Sequence, residues 1–132
     1  MGGESTEVNR PEVVAELSAQ FERYEDALVA NDLEVLAELF WDSPHVVRFG
    51  DGQNLYGYDE IAVFRQGRPP RDLRRTLERV VITTFGTNFA TTAAEFRRTA
   101  SGARGRQMQT WVRTGEGWRV VAAHVSLLPA PS

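Results

Sequence analysis

The stretch TWVRTGEGWRVVAAHVS, Thr110–Ser126, has the pattern of a β-hairpin. Trp111 and Val112 open it, and TGEG (114–117) supplies the turn. Trp118, Val120, Val121, Ala122 and Ala123 fill the second arm. Strand side chains alternate with period 2, so His124 and Ser126 share a face near the end of an apolar strand. Which face they share depends on the turn, because a bulge shifts the register by one residue.

Upstream of the hairpin lie three more strand-like segments, roughly 73–85, 88–98 and 104–114. GTN (86–88) and TASGARG (99–105) supply the turns between them. Both alternations of the last strand are apolar. One face must meet helices, and the other is too apolar to be left wet. A homodimer or larger homo-oligomer formed through that outer face is therefore expected.

The first half of the chain reads as helical. Asn9 and Glu12 have capping-box spacing, and Pro11 suits a first helical turn. Val14, Leu17, Phe21, Tyr24 and Leu28 then form one helix face. Asn31 reads as a C-terminal stop and Asp32 as the next N-cap. Leu33, Leu36, Leu39 and Phe40 make a second apolar face. SPHVVRFG (43–50) is a turn and short strand, and DGQNLYGYDE (51–60) carries turn signals around another near Leu55–Tyr56. Asp59 is placed to cap a third helix over 60–68, which PPRD (69–72) ends. Helices followed by an antiparallel meander predict an α+β domain with the helices on one sheet face.

The chain has 132 residues, enough for one domain with a real core. A flexible tail is expected over 1–9, a single domain over 10–128 and a short tail over 129–132. MGGEST matches a myristoylation pattern through Gly2 and Thr6, without a second lipid signal beside it. There is no cysteine, hence no disulfide and no thiol nucleophile. No apolar run would span a bilayer and no secretory signal pattern is present, so a cytoplasmic protein is expected. A net charge of −3 argues against nucleic-acid and anionic-membrane partners. All 15 basic residues are Arg, which excludes a Schiff-base lysine. Any bound carboxylate would be held by planar guanidinium forks. His45 and His124 have no metal-ligand spacing and no P-loop or dinucleotide fingerprint occurs, so neither metal nor organic cofactor is expected.

Several of these segments carry a family resemblance. FERYEDALVANDLEVLAELFWDSP, VRFGDGQNLYGYDEIAVFR, VVITTFG and the closing QTWVR…GWRVVAAHVSLL resemble the AtzH-like family, which includes oxalurate catabolism proteins of the HpxZ kind. The resemblance runs from about residue 10 to 128. It implies a nuclear transport factor 2-like cone, in which N-terminal helices pack on the concave face of a curved, mainly antiparallel sheet. It also implies a role in breaking down small nitrogen-rich acids beside amidase-type enzymes. One member of the family is associated with decarboxylating a dicarboxylated urea. By the resemblance, Tyr24 in FERYE and Arg48 in VRFG are the catalytic pair.

Each candidate also has an ordinary structural reading. Tyr24 is a core tyrosine or a phenol able to donate a proton into a pocket. Arg48, between Val47 and Phe49, reaches solvent or a carboxylate partner, or else turns inward and needs an anion. Arg65 and Arg68 suit a solvated helix C-terminus, or Arg65 is a second carboxylate clamp. Asn54 lies in the turn-rich loop beside these groups and is a further binding candidate. Gln109 and Trp111 share a strand face, where Trp111 is either core or a platform for ligand. Glu95 is read as half of a surface ion pair or as the partner of an inward arginine. His124 and Ser126 either emerge into solvent or line the mouth of the cone.

Three functions fit these residues. One is a cofactor-independent decarboxylase of a small mono- or dicarboxylate such as an N-carboxylated urea. Another is a non-catalytic acid binder or accessory protein to a partner amidohydrolase. The last is a lyase or isomerase of the ketosteroid-isomerase type, which calls for an acidic base in an apolar pocket where this sequence supplies arginines.

Overall fold

The computed structural model describes residues 7–130. Helix α1 spans Pro11–Ala30 and α2 Leu33–Leu39, followed by strands β1 (Val47–Gly50) and β2 (Gln53–Tyr56) and helix α3 (Tyr58–Gly67). Four long strands complete the chain: β3 (Arg75–Phe85), β4 (Phe89–Arg98), β5 (Arg104–Thr114) and β6 (Gly117–Leu127). They form one six-stranded sheet in the order β2-β1-β6-β5-β4-β3. All pairs are antiparallel except β1 with β6. The expected α+β cone, with helices on the concave face of a curved sheet, is the observed fold.

Helix α1 starts at Pro11, whose fixed φ suits the first turn. Its N-cap position is Arg10. The expected capping box does not form, because Asn9 adopts φ 60 and its Oδ1 accepts the Thr84 N–H at 2.9 Å. Val8 bridges Phe85, so Glu7–Asn9 run along β3 where a flexible tail was expected. The Gly2 and Thr6 lipidation pattern and the last two residues lie outside the described residues. The buried stripe is Val13, Leu17, Phe21, Tyr24, Ala27 and Leu28, with Val13 in the place expected for Val14. Leu17 is fully buried, so truncating it to Ala would cost about 2–5 kcal/mol.

The chain reverses where the sequence indicates. Asn31 takes the left-handed conformation, and its N–H donates to the Leu28 carbonyl. Asp32 Oδ1 accepts the Val35 N–H at 3.2 Å and starts α2. Helix α3 differs from expectation at its start. It begins after Gly57, at φ 87, and Asp59 lies within its first turn instead of capping it.

A bulge in the closing hairpin decides which β6 residues face inward. Thr110 pairs with Ala122, but Trp111 pairs with Val120, so Val121 is an extra residue. Trp118 and Val120 face the helices. Beyond Val121 the alternation is reversed, and Ala123 and Val125 are the inward residues. His124 and Ser126 therefore turn to the convex face.

Candidate functional site

One row of paired residues crosses the concave face of the whole sheet. It runs Leu55, Arg48, Ala123, Gln109, Thr92, Ile82. Arg48 and Gln109 are both buried, with only the small Ala123 between them. Arg48 is 7% exposed, stacks 5.2 Å above the Phe64 ring, and leaves Nη1 without a hydrogen-bond partner. Burial pushes its pKa down to about 10, and neighbouring guanidiniums add to the effect.

Helix α3 delivers two further guanidiniums. Arg65 is 4% exposed and lies over the Phe40 ring at 4.8 Å, with none of its three nitrogens partnered. Arg68 stacks on Phe64 at 5.7 Å, with Nε and Nη2 unpartnered. Burial, then the Arg65 charge, lowers its pKa. Arg75, from β3, is different. It pairs with Glu25 of α1, donates to Gln107 Oε1 at 3.0 Å and stacks on Phe96 at 4.3 Å. Three buried or half-buried arginines thus carry no carboxylate partner among the described residues, while the fourth is neutralised. Buried cations left unpaired are costly, which is the signature of a site awaiting an anion.

Tyr24 sits beneath this cluster, 3% exposed, with its ring 6.3 Å from Phe40. Burial would push the phenol pKa up, but the charges of Arg65, Arg48 and Arg75 outweigh it and hold it below the usual tyrosine value. Arg48 also borders a cavity of about 560 Å³ that opens between α3 and the sheet. Arg68, Phe64, Gln53 and Val125 line the same opening, with Asp51 at its rim. Arg48 therefore connects the entrance to the phenol.

The other inward candidates form a polar chain. The Trp111 indole N–H donates to Thr92 Oγ1 at 3.2 Å, and Thr92 donates to Gln109 Oε1 at 3.1 Å. All three residues are buried. Trp111 is thus both core and an anchor for Gln109.

Tyr24, Arg48, Arg65, Gln109 and Trp111 lie on the concave side. Asn54, His124 and Ser126 do not. Asn54 pairs with Phe49, one residue out of phase with Arg48, and is exposed on the other face. His124 pairs with Met108 and is exposed there too. Ser126 pairs with Arg106 and accepts its Nη2 at 3.4 Å, and it also borders the mouth of the cavity. These two residues, with Arg79, Glu95, Arg106 and Met108, border a separate convex groove of about 490 Å³. Glu95 is a surface residue there. Arg68, Arg75, Gln107 and Thr92 were missed as site residues. Alternation inward from Gln109 and Trp111 points to Gln107, but nothing local marks Arg75 or Arg68 as turned inward. Among the described residues no three His, Asp or Glu side chains gather as a metal-ligand set.

The AtzH-like family model matches residues 6–131. The chain belongs to the AtzH-like family. A protein of unknown function from Pectobacterium atrosepticum is 54% identical, with a TM-score of 0.90 over 92% of this chain and 95% of its own. A cystatin-like fold protein from Burkholderia xenovorans is 46% identical, with a TM-score of 0.91 over 96% of this chain and all of its own. A nuclear transport factor 2-like protein from Pseudomonas putida has a TM-score of 0.77 at 18% identity, over 89% and 87% of the two chains, and is alike in fold alone. No curated protein matches the sequence. In this AtzH-like chain, the arrangement of helices over a cone is the one its fold relatives have, and the guanidinium cluster is built on it. No helix among the described residues is long and apolar enough to cross a membrane.

Proposed function

We propose that this AtzH-like protein is a cofactor-independent decarboxylase of a small N-carboxylated urea or related dicarboxylate. The observation that carries the reading is the buried phenol of Tyr24 under three guanidiniums that have no carboxylate of their own. Such a cluster is complementary to a dianion of small size. Arg48 binds one carboxylate and fixes its orientation, as a guanidinium fork does.

The chemistry follows from the charge distribution. Carbon dioxide leaves when the N–C bond to a carboxylate breaks and its electron pair stays on nitrogen. A proton from the Tyr24 hydroxyl neutralises that nitrogen, leaving a phenolate, which takes a proton back from solvent. The arginine charges that lower the phenol pKa also stabilise the phenolate, and a stronger acid near neutral pH is a better donor. A guanidinium on the departing carboxylate would oppose its conversion to neutral carbon dioxide. The clamp therefore belongs on the retained carboxylate, with the departing one nearer Tyr24. No electron sink is needed when the charge falls on nitrogen.

Purified protein, without an amidohydrolase, is expected to release carbon dioxide from N-carboxylated ureas faster than the spontaneous reaction. Turnover equal to the spontaneous rate, with dicarboxylates still bound, would replace this reading with that of an accessory acid-binding protein.

A further inference from the structure

We propose that Gln107 and Gln109 present their amide N–H groups to the ligand, and that the interior thereby selects a dicarboxylate carrying a neutral hydrogen-bond acceptor. This rests on the dicarboxylate site described above and specifies what else the ligand must contain.

The orientation of Gln109 follows from the chemistry of its neighbours. An indole N–H can only donate, so Trp111 makes Thr92 an acceptor. Thr92 has one proton left, and it goes to Gln109. Gln109 turns its carbonyl oxygen towards Thr92, which leaves its amide nitrogen free. Gln107 is set by the same logic. A guanidinium can only donate, so Arg75 takes the Gln107 carbonyl oxygen at 3.0 Å. In both residues Nε2 is buried and unpartnered. The two side chains are 5% and 2% exposed and stand two residues apart on the concave face of β5.

The sheet register places these donors by the clamp. Gln109 and Arg48 flank Ala123 in one row, two strand spacings or about 9.5 Å apart at the backbone. Ala123 projects only a methyl group between the guanidinium and the amide. Among these inward side chains, the unpartnered atoms of Arg48, Arg65, Arg68, Gln107 and Gln109 are all donors. Guanidiniums suit carboxylates, whereas neutral amides suit a carbonyl or ether oxygen. A ligand with a methylene at that point would leave two buried amides unpaired, and that is expensive.

Diglycolate and glutarate test this directly, because they differ by one ether oxygen in place of a central methylene and neither decarboxylates readily. Titration calorimetry with the full chain is expected to give diglycolate about tenfold tighter binding than glutarate. Gln109→Met, which keeps only the Gln107 donor, should cut that ratio to about threefold or less. Thr92→Val removes the hydroxyl that orients Gln109 and accepts the Trp111 indole N–H, so it should lower the ratio and the thermal midpoint together, the midpoint by several degrees. It also serves if Gln109→Met does not fold. Equal binding of the two acids by wild type, or an unchanged ratio in the folded variants, overturns the donor pair and leaves the anion site standing. Failure of wild type to bind either acid overturns both.

Discussion

Arg48 Nη1 lies 2.9 Å from the point where a side-chain carbon on Gly50 would stand. The Gln53 Oε1 is closer still, at 2.6 Å. Gly50 is thus the space into which the guanidinium folds, two residues along its own strand. The obstructing atoms are the far ends of flexible side chains, so Gly50→Ala is expected to cost less than about 1 kcal/mol of stability. It must nonetheless move the guanidinium. A fall in dicarboxylate affinity of about tenfold or more, with a nearly unchanged melting temperature, is the expected result. Calorimetry beside a thermal melt checks it.

Arg65 is a buried cation without a hydrogen-bond partner for any of its three nitrogens. Replacing it with an apolar side chain of similar length removes that penalty. Arg65→Met is therefore expected to stabilise the ligand-free protein by about 1–4 kcal/mol in urea denaturation. The same variant should bind dicarboxylates more weakly. A destabilised variant would mean that Arg65 is compensated in the ligand-free fold.

The pH dependence of Arg48 has opposite signs for folding and for binding. Its pKa falls below the usual arginine value, to about 10, in the folded state, so the fold disfavours the charged form. That penalty is fully present below about pH 10, and stability attributable to Arg48 recovers as pH rises from about 10 towards the usual arginine value. Anion affinity should run the other way and weaken as pH rises through about 10. The wild-type inflection, and its absence in Arg48→Met, can be read from dicarboxylate titrations between neutral and alkaline pH.

Tyr24→Phe separates packing from proton donation. The ring keeps its place against Phe40, so the lost hydroxyl should change stability by only about 1 kcal/mol. If the phenol supplies the proton, kcat falls by about 10²-fold or more. Rates of carbon dioxide release from the two proteins, compared at equal saturation, decide the matter. Equal rates would reject the donor role.

The convex face carries Val81, Phe85, Phe89 and Met108, all more than a third exposed. Its charges are of both signs, with Arg79 and Arg106 on strands flanking Glu95. We propose that a second copy of this chain covers it, since such a patch is complementary to itself about a two-fold axis. A dimer is expected in sedimentation at micromolar concentration, and Met108→Glu should shift it to monomer. A wild-type monomer under those conditions would refute the interface.

Much of this was legible in the sequence because local chemistry agreed with the fold. Asn31, Asp32 and the Gly-containing turns act through their own backbone, and each element they bound is where it was expected. Asn9 was misread because Thr84, distant in sequence, offers its side chain a better partner than the helix does. The site was legible in part. Tyr24 lies on a helical stripe whose direction the period fixes. Arg68 and Arg75 sit at element ends, where no period says which way a side chain turns. The face that His124 and Ser126 share hangs on one residue of register, which composition does not encode.

Val121 is the residue that sets that register, and this gives the closing hairpin an evolutionary property. Deleting one codon there would restore strict alternation and leave the two sides of the strand as they are, because the lost residue and the lost bulge cancel. Ironing the bulge out with Val121 kept would do the opposite: the imidazole and hydroxyl would enter the cavity as Ala123 and Val125 left it. A site that clears room for an anion would then acquire a nucleophile and a base in one step, with every amino acid kept. In this fold, the bulge in β6 is as heritable a determinant of chemistry as the identity of its residues.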